Sequence, residues 1–327
     1  MKIAFYNIGY RLSNGNGVVS QALTWKRGLE SLGHEVTLCN SWDYYSLEEY
    51  DALQIFGFNE NIADFVNAIS KKNQKIFIAP ILDPDYSISK AKLMAHYGNY
   101  QMRLSSRYSA LRSCRKKTKG ILVRSEFEKE YMVKAYGFSS EMCHIVKLPS
   151  GISPEYPFCP KENFCLHISL LCDTRKNVKR LIDASEKYQF PLVLAGGLRN
   201  EQEEHLLNDW IKGKPLIKYL GWITEVQKKD LYRRARVFAL PSLNEGVGIV
   251  ALEAACYGAD VVITNLGGPK EYYGNFAIQV NPYSTDEIGI AVKEFLNGKT
   301  YQPQLAHYIS EKFSLEAISK QLENIYF

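Results

Sequence analysis

Short apolar runs alternate with stretches whose apolar residues recur every three or four positions along most of this chain. Lys2-Ile-Ala-Phe-Tyr6 reads as a strand, Val18 to Leu32 as a helix, and Glu35-Val-Thr-Leu-Cys39 as a second strand, with Gly33 and His34 ending the helix. A strand, helix, strand opening predicts a parallel sheet, because parallel neighbours need a crossover between them. Further strands are predicted at Ala52 to Phe56, Lys75 to Ala79, Gly120 to Val123 and His144 to Leu148. The densest Pro/Gly stretch, Ser150 to Lys161, follows, and the rhythm then restarts. Strands at Phe164 to Ser169, Pro191 to Ala195, Ile217 to Leu220, Arg236 to Leu240 and Asp260 to Ile263 are separated by helices at Val178 to Lys187, Glu201 to Ile211 and Glu225 to Arg234. The tail from Leu315 is an amphipathic helix with no strand after it. The pattern predicts an α/β chain of two doubly wound domains, 1–150 and 164–310, a linker at 151–163 and a terminal helix at 311–327.

Composition agrees with this division. The 327 residues suit two domains of about 150 each. A hydrophobic fraction of 46% supplies two cores, and the net charge of +5 is modest. No run approaches the roughly 18 apolar residues of a membrane span, and Met1 to Asn7 is too short and polar for a secretory leader. The seven cysteines are scattered and form no C-x-x-C, so no disulfide framework or zinc knuckle is expected and the cytoplasm is the expected compartment. Charge distribution changes the picture more than its sum. Residues 86–125 hold no acidic residue but carry Lys90, Lys92, Arg103, Arg107, Arg112, Arg115, Lys116, Lys117, Lys119 and Arg124, interleaved with tyrosines. Such a segment fits peripheral contact with an anionic membrane at its inner face, or a solvated basic face that receives a charged acceptor. Nucleic acid is not expected, because no RNP, zinc-finger or helix-turn-helix signature accompanies the charge.

Candidate chemistry concentrates where the apolar run Arg236 to Leu240 enters Pro241-Ser-Leu-Asn-Glu-Gly-Val-Gly248 and then a helix carrying Glu253. Free N–H groups of Gly246, Val247 and Gly248, with the positive end of the helix dipole, make an anion site suited to phosphate. Glu245 and Glu253 bracket it. On one helix they would stand roughly 12 Å apart on different faces, so a single ligand can reach both only if Glu245 lies in the loop. A long ligand with an anion in its middle and hydroxyls at both ends fits. In the first half, Gly15-Asn16-Gly17 is a fragment of a dinucleotide fingerprint with Ser20 in the place of its third glycine. It is either a tight turn or a loop that faces phosphate or acceptor. Asp83 and Asp85 form a D-x-D pair, readable as turn chemistry, as a general base or acceptor contact, or as divalent-metal ligands.

Glu245-Gly-Val-Gly-Ile-Val-Ala-Leu-Glu253 resembles the E-x₇-E signature of retaining, family 4 glycosyltransferases (glycosyl transferases group 1), which have the GT-B plan of two Rossmann-like domains facing each other across a cleft. Arg175-Lys-Asn-Val-Lys-Arg-Leu-Ile-Asp-Ala184 is similar to that family's K-N-x-x-x-L-I-x-A segment, Leu194-Ala-Gly-Gly197 to its strand-end glycines, and Gly221-Trp-Ile223 to its nucleotide-side loop. Gly267-Gly-Pro-Lys-Glu271 resembles the loop after the signature, and Gly17-Val18, Gly33-His-Glu-Val36 and Leu148-Pro-Ser-Gly-Ile152 the family's opening and domain junction.

The resemblance implies that the first domain binds acceptor and the second a nucleotide-diphosphate-sugar, with the terminal helix crossing back to the first. Glu253 would take the ribose hydroxyls, Glu245 the hydroxyls of the transferred sugar, and Gly246 to Gly248 with Lys176 the diphosphate as it leaves. Asn16, Gly17, Arg175, Gly197 and Gly221 complete the implied substrate contacts, and Glu245, Lys176 and Asp83 are the candidate catalytic residues. No metal or cofactor is implied, because Lys176 and the helix N-terminus take the metal's place; the nucleotide-sugar is a co-substrate. Two departures matter. Leu171 stands where many members have Arg, which moves that contact to Arg175 or Arg180, and Pro80-Ile-Leu-Asp83 stands where members often have His. The base is thereby open, and in this class a donor phosphate oxygen can itself take the acceptor's proton. The implied function is retaining sugar transfer to a glycan or lipid-linked acceptor in surface polysaccharide or glycoconjugate synthesis. A nucleotide-sugar epimerase or phosphorylase on the same fold, or a non-catalytic sugar-binding subunit, are the alternatives.

Overall fold

The computed structural model describes residues 1–8, 17–83, 86–99 and 106–327, and the chain folds as two units, residues 1–149 with 315–327 and residues 150–314. The first unit runs β1 (Lys2–Asn7), α1 (Gly17–Ser31), β2 (Glu35–Cys39), β3 (Ala52–Phe56), α2 (Ile62–Ile69), β4 (Ile76–Ala79), α3 (Ile88–Tyr97), α4 (Ser106–Ser113), β5 (Gly120–Val123), α5 (Glu126–Lys134) and β6 (Cys143–Ile145). Its strands pair in parallel in the order β2-β1-β3-β4-β5-β6. Every residue of β3, β4 and β5 is buried, which is why these strands read as unbroken apolar runs: helices cover both faces of the sheet. Trp25 and Leu29 of α1 are buried, Trp25 against Phe56, while Val66 of α2, Leu111 of α4 and Met132 of α5 join a separate core cluster.

The second unit runs β7 (Glu162–Ile168), α6 (Val178–Tyr188), β8 (Leu192–Ala195), α7 (Glu201–Ile211), β9 (Ile217–Tyr219), α8 (Glu225–Arg234), β10 (Ala235–Leu240), α9 (Ile249–Cys256), β11 (Asp260–Thr264), α10 (Lys270–Tyr273), β12 (Ile278–Val280), α11 (Thr285–Leu296) and α12 (Gln304–Lys312). Its parallel sheet has the order β12-β11-β10-β7-β8-β9. The chain lays β8 and β9 outward from one side of β7, then returns to lay β10, β11 and β12 on the other. The carboxyl ends of β7 and β10 are thus neighbours at a reversal of strand order, where open α/β sheets bind ligands. In the first unit the same reversal lies between β1 and β3.

The terminal helix expected from Leu315 is present, whereas residues 311 and 312, grouped with it in the division at 311–327, end α12. Buried Phe313 packs on the rings of Tyr272 and Tyr308 and ends α12 in the second unit. The last helix, α13 (Leu315–Tyr326), belongs to the first unit. A Cβ on Gly28 of α1 would come within 1.9 Å of the Ser319 hydroxyl, so the glycine lets α1 and α13 approach. Tyr326 donates to Gln54 Oε1 at 3.0 Å, and His34 lies 2.8 Å from Glu323. Among the described residues no helix is long and apolar enough to cross a membrane.

Candidate functional site

The loops leaving β7 and β10 are stitched together before any charged group is considered. After β7, Asp173 caps a 3₁₀ turn at Thr174–Lys176 by accepting from the Arg175 N–H at 3.0 Å. Asn177 then adopts the left-handed conformation, φ 57°, which Asn tolerates better than most residues. Its side-chain amide donates to Pro241 O at 3.0 Å and Pro282 O at 2.7 Å, and Leu243 N donates to Arg175 O at 2.8 Å. These bonds fix the loop after β7 against the loop after β10. Lys176 and Glu245, 69 residues apart in sequence, form an ion pair of 2.7 Å in consequence. Ser242 donates to the same carboxylate oxygen at 3.1 Å, and Glu245 is only 8% exposed.

Glu245 lies in the loop, as a shared ligand requires, because α9 begins only at Ile249. Gly248 precedes it at φ 76°, and its carbonyl accepts from the buried Tyr273 hydroxyl at 3.2 Å. Gly267, at φ 81°, lies directly behind the loop, where a Cβ would come within 2.5 Å of Glu245 O. The glycine run after the signature therefore supports the backbone of Glu245. Val247 is 2% exposed, so that residue can offer a ligand its main chain but little of its side chain.

Glu253, on α9, is met by Lys228 at 3.1 Å and by the Tyr232 hydroxyl at 3.2 Å. Burial opposes the charge on Lys228, but Glu253 and Glu225 outweigh it and hold its pKa above the ordinary value. Burial, with Glu253 beside it, pushes the Tyr232 hydroxyl well up, so it stays a donor. Neither partner was found from sequence. The available signal was their spacing on α8, four positions apart and hence on one face, but nothing local aimed that face at Glu253.

The strand-end glycines form the adjoining wall. Gly196, at φ 129°, donates to Gly221 O at 2.9 Å, and a Cβ on it would come within 1.9 Å of Ser169 O. A Cβ on Gly197 would meet the Trp222 ring at 3.2 Å, and that indole is 75% exposed. Beneath them His167 is fully buried, its Nδ1 2.8 Å from Ala239 O and its Nε2 2.7 Å from Ser169 Oγ. Burial, with Lys176 adding to it, lowers its pKa to about 4, so the ring is a neutral support. Leu171 is fully buried in the second core and that position cannot hold a charge towards solvent. Arg180 uses its guanidinium on Pro282 O at 2.9 Å and Asn177 Oδ1 at 3.3 Å. Arg175 remains on the loop, 4.0 Å from Asp173.

In the first unit Gly17 opens α1, whereas Asn16 and Asp85 lie outside the described residues, as do Arg103 and part of the basic stretch. Asp83 is held in a network with buried Arg124, 2.7 Å away. Arg124 also pairs with Glu128 at 3.1 Å, and Glu128 accepts from Leu82 N at 2.6 Å and from Arg124 N at 2.7 Å. Other basic side chains of residues 86–125 serve the fold: Arg112 donates to Tyr136 O at 2.8 Å, and Arg115 to Gly137 O at 3.1 Å. The carboxyl ends of β1, β2 and β3 surround a cavity of about 820 Å³ lined by Tyr6, Asn7, Cys39, Trp42 and Phe65 among others. Among the described residues no group of three or more His, Cys, Asp or Glu side chains is placed to hold a metal ion.

Residues 153–312 match the family described as Glycosyl transferases group 1. Among curated proteins, O-antigen chain mannosyltransferase B of Escherichia coli is 26% identical over 231 residues, 63% of this chain, and the match spans 60% of that protein's length. Among solved structures, sucrose-phosphate synthase from Thermosynechococcus elongatus superposes with a TM-score of 0.72 at 16% identity, covering 99% of this chain and 98% of that one. The lipopolysaccharide outer core galactosyltransferase WaaB gives 0.71 at 17% identity, covering 99% of both chains. At these identities the structural likeness shows the fold, which is the GT-B plan of two Rossmann-like units.

Proposed function

We propose, from the premise that residues 153–312 belong to the glycosyl transferases group 1 family, that this chain is a retaining glycosyltransferase which moves a sugar from a nucleotide-diphosphate-sugar to a glycan or lipid-linked acceptor in surface polysaccharide synthesis. The observation that carries the reading is the Lys176–Glu245 pair at the β7/β10 strand reversal, beside the N-terminus of α9. A cation and a row of backbone N–H groups meet there, the combination that stabilises charge building on a departing diphosphate. Lys176 is the diphosphate's cation and also fixes the Glu245 carboxylate, which takes hydroxyls of the transferred sugar. Glu253, oriented by Lys228 and Tyr232, takes vicinal hydroxyls of the ribose. The acceptor is held by the first unit. The donor's own phosphate oxygen takes the acceptor proton, which leaves Asp83 an acceptor contact; its carboxylate rests on Arg124. The relative described as an O-antigen chain mannosyltransferase supports a polysaccharide acceptor. The excess of basic over acidic residues in 86–125 supports work at the inner membrane surface, where the protein associates peripherally.

The test is a thermal-shift screen of UDP-, GDP-, ADP- and dTDP-sugars, followed by assay of nucleotide release. A ligand at 100 times its Kd stabilises by about 2.7 kcal/mol. Release that rises with added acceptor supports transfer, and acceptor-free conversion of the sugar would indicate an epimerase. Absence of a shift with any donor would overturn the proposal.

A further inference from the structure

On the second unit an open groove of about 560 Å³ is lined by Tyr156, Phe276, Gln304, His307, Tyr308 and Glu311 among others. The last four are on α12 at spacings of three and four, so they share one face of the helix, while Leu305, Ala306 and Ile309 are buried on the other. Tyr301 N donates to Asp260, the first residue of β11, at 2.7 Å, and Phe276 stands just before β12. The groove therefore lies at the amino ends of those strands, whereas Lys176 and Glu245 are on loops at the carboxyl ends of β7 and β10. Its rings are braced by other rings. Tyr308 meets Phe276 at 5.6 Å between centroids and buried Phe313 at 6.0 Å, and Tyr156 meets Phe158 at 4.9 Å. Tyr156 is nevertheless 52% exposed. Glu311 is exposed as well, and His307 Nε2, 3.8 Å from its carboxylate, is too far away for a hydrogen bond.

Aromatic faces carry negative potential and a carboxylate beside them adds to it, so this groove attracts cations and opposes anions. Among the described lining residues no lysine or arginine stands against that field. A primary ammonium is strongly hydrated and needs acceptors for three N–H groups, which aromatic walls do not supply. A quaternary ammonium has no N–H to satisfy and an apolar methyl shell, so it gives up little by leaving water for the rings. A neutral apolar ligand would gain the same burial but nothing from Glu311. We propose that this groove is a binding site for a quaternary ammonium group of the choline type, seated against Tyr156, Phe276 and Tyr308 with Glu311 as its counter-charge. The volume falls within the roughly 300–1,000 Å³ of ligand sites, enough for the head group and part of what carries it. The site stands apart from the transferase reading, because none of its residues belongs to the loops around Lys176 and Glu245.

The probes are choline chloride and tetramethylammonium chloride, observed by saturation-transfer NMR on the full chain. The control is the uncharged carbon isostere of choline, in which a tert-butyl group replaces the trimethylammonium. Both cations should bind, choline about fivefold or more tighter than its isostere. Tyr156→Ala and Glu311→Gln, at exposed positions where the fold tolerates them, should each weaken choline binding by about threefold or more. The thermal shift by nucleotide-sugars should stay unchanged in both variants. No binding of either cation, equal binding of choline and its isostere, or choline binding unchanged in either variant would overturn the proposal. Phosphatidylcholine vesicles that sediment the protein and release it to free choline would make a lipid the source of the head group; vesicles that leave it in solution while choline binds would make the source a solute. Absence of any nucleotide-sugar shift with choline binding intact would sink the transferase reading but not this site.

Discussion

Each unit carries a cation–carboxylate cluster near the carboxyl ends of its strands, and the two clusters are built differently. In the first unit Arg124 is 6% exposed and Glu128 1%, and their polar atoms are taken up by each other, Asp83 and the main chain around Leu82. Burial opposes the charge on Arg124, but Glu128 and Asp83 outweigh it and hold the guanidinium charged. In the second unit Lys176 and Glu245 keep side-chain exposures of 16% and 10%, and they stand beside a glycine loop and a helix N-terminus. A guanidinium enclosed by carboxylates and carbonyls is a structural tie. An ammonium and a carboxylate left at a helix start can be shared with a ligand. Similar residue types are therefore closed into the fold in one unit and left open to a ligand in the other, and enclosure makes the difference.

That contrast can be broken in four places. Glu128→Ala leaves Arg124 buried without its main partner, and should cost the first unit about 3–5 kcal/mol in denaturant titration. A loss below about 1 kcal/mol would remove the structural assignment. Lys176→Ala should lower turnover by about 10²–10³, close to 3–4 kcal/mol in the barrier, with a smaller loss of stability than Glu128→Ala. Equal stability losses with unchanged turnover would make the two clusters alike. His167 sets a pH dependence for the second unit. Its ordinary pKa is 6.5 and the folded value about 4, so the unfolded chain takes up the proton first as pH falls. The stabilisation is complete above pH 6.5 and is lost between 6.5 and 4, to a total of about 3 kcal/mol. Denaturation midpoints of the wild type and His167→Gln across that window should converge at its acid end. Gly267→Ala, strained at its φ and pressed on Glu245 O, should cost about 1–3 kcal/mol and reduce turnover, whereas Gly17→Ala meets nothing within 4 Å and should change stability by less than about 0.5 kcal/mol.

The second unit was the more legible because its signals are contiguous. Gly248, the start of α9 and the position of Glu245 in the loop follow from a single stretch, and of the strand-end glycines Gly196 is demanded by the close approach of Ser169 O and Gly221 by its φ of 72°. The partners of Glu253 were not legible, because Lys228 and Tyr232 reach it from a different helix. The start of the last helix at Leu315 was legible, whereas the division at 311–327 took in the end of α12, because both helices are amphipathic and only the burial of Phe313 and Ser319 assigns them to different cores.

The amino-acid sequence by itself determined the alternation of strands and helices, the parallel sheets and the glycine loop that opens α9, because periodicity, crossover length and glycine φ preferences act over a few residues. Only the tertiary structure decided the strand orders, the closing of Lys176 on Glu245 across 69 residues, and the enclosure of Arg124. Those depend on which faces pack together, and burial and charge pairing are properties of neighbours in space.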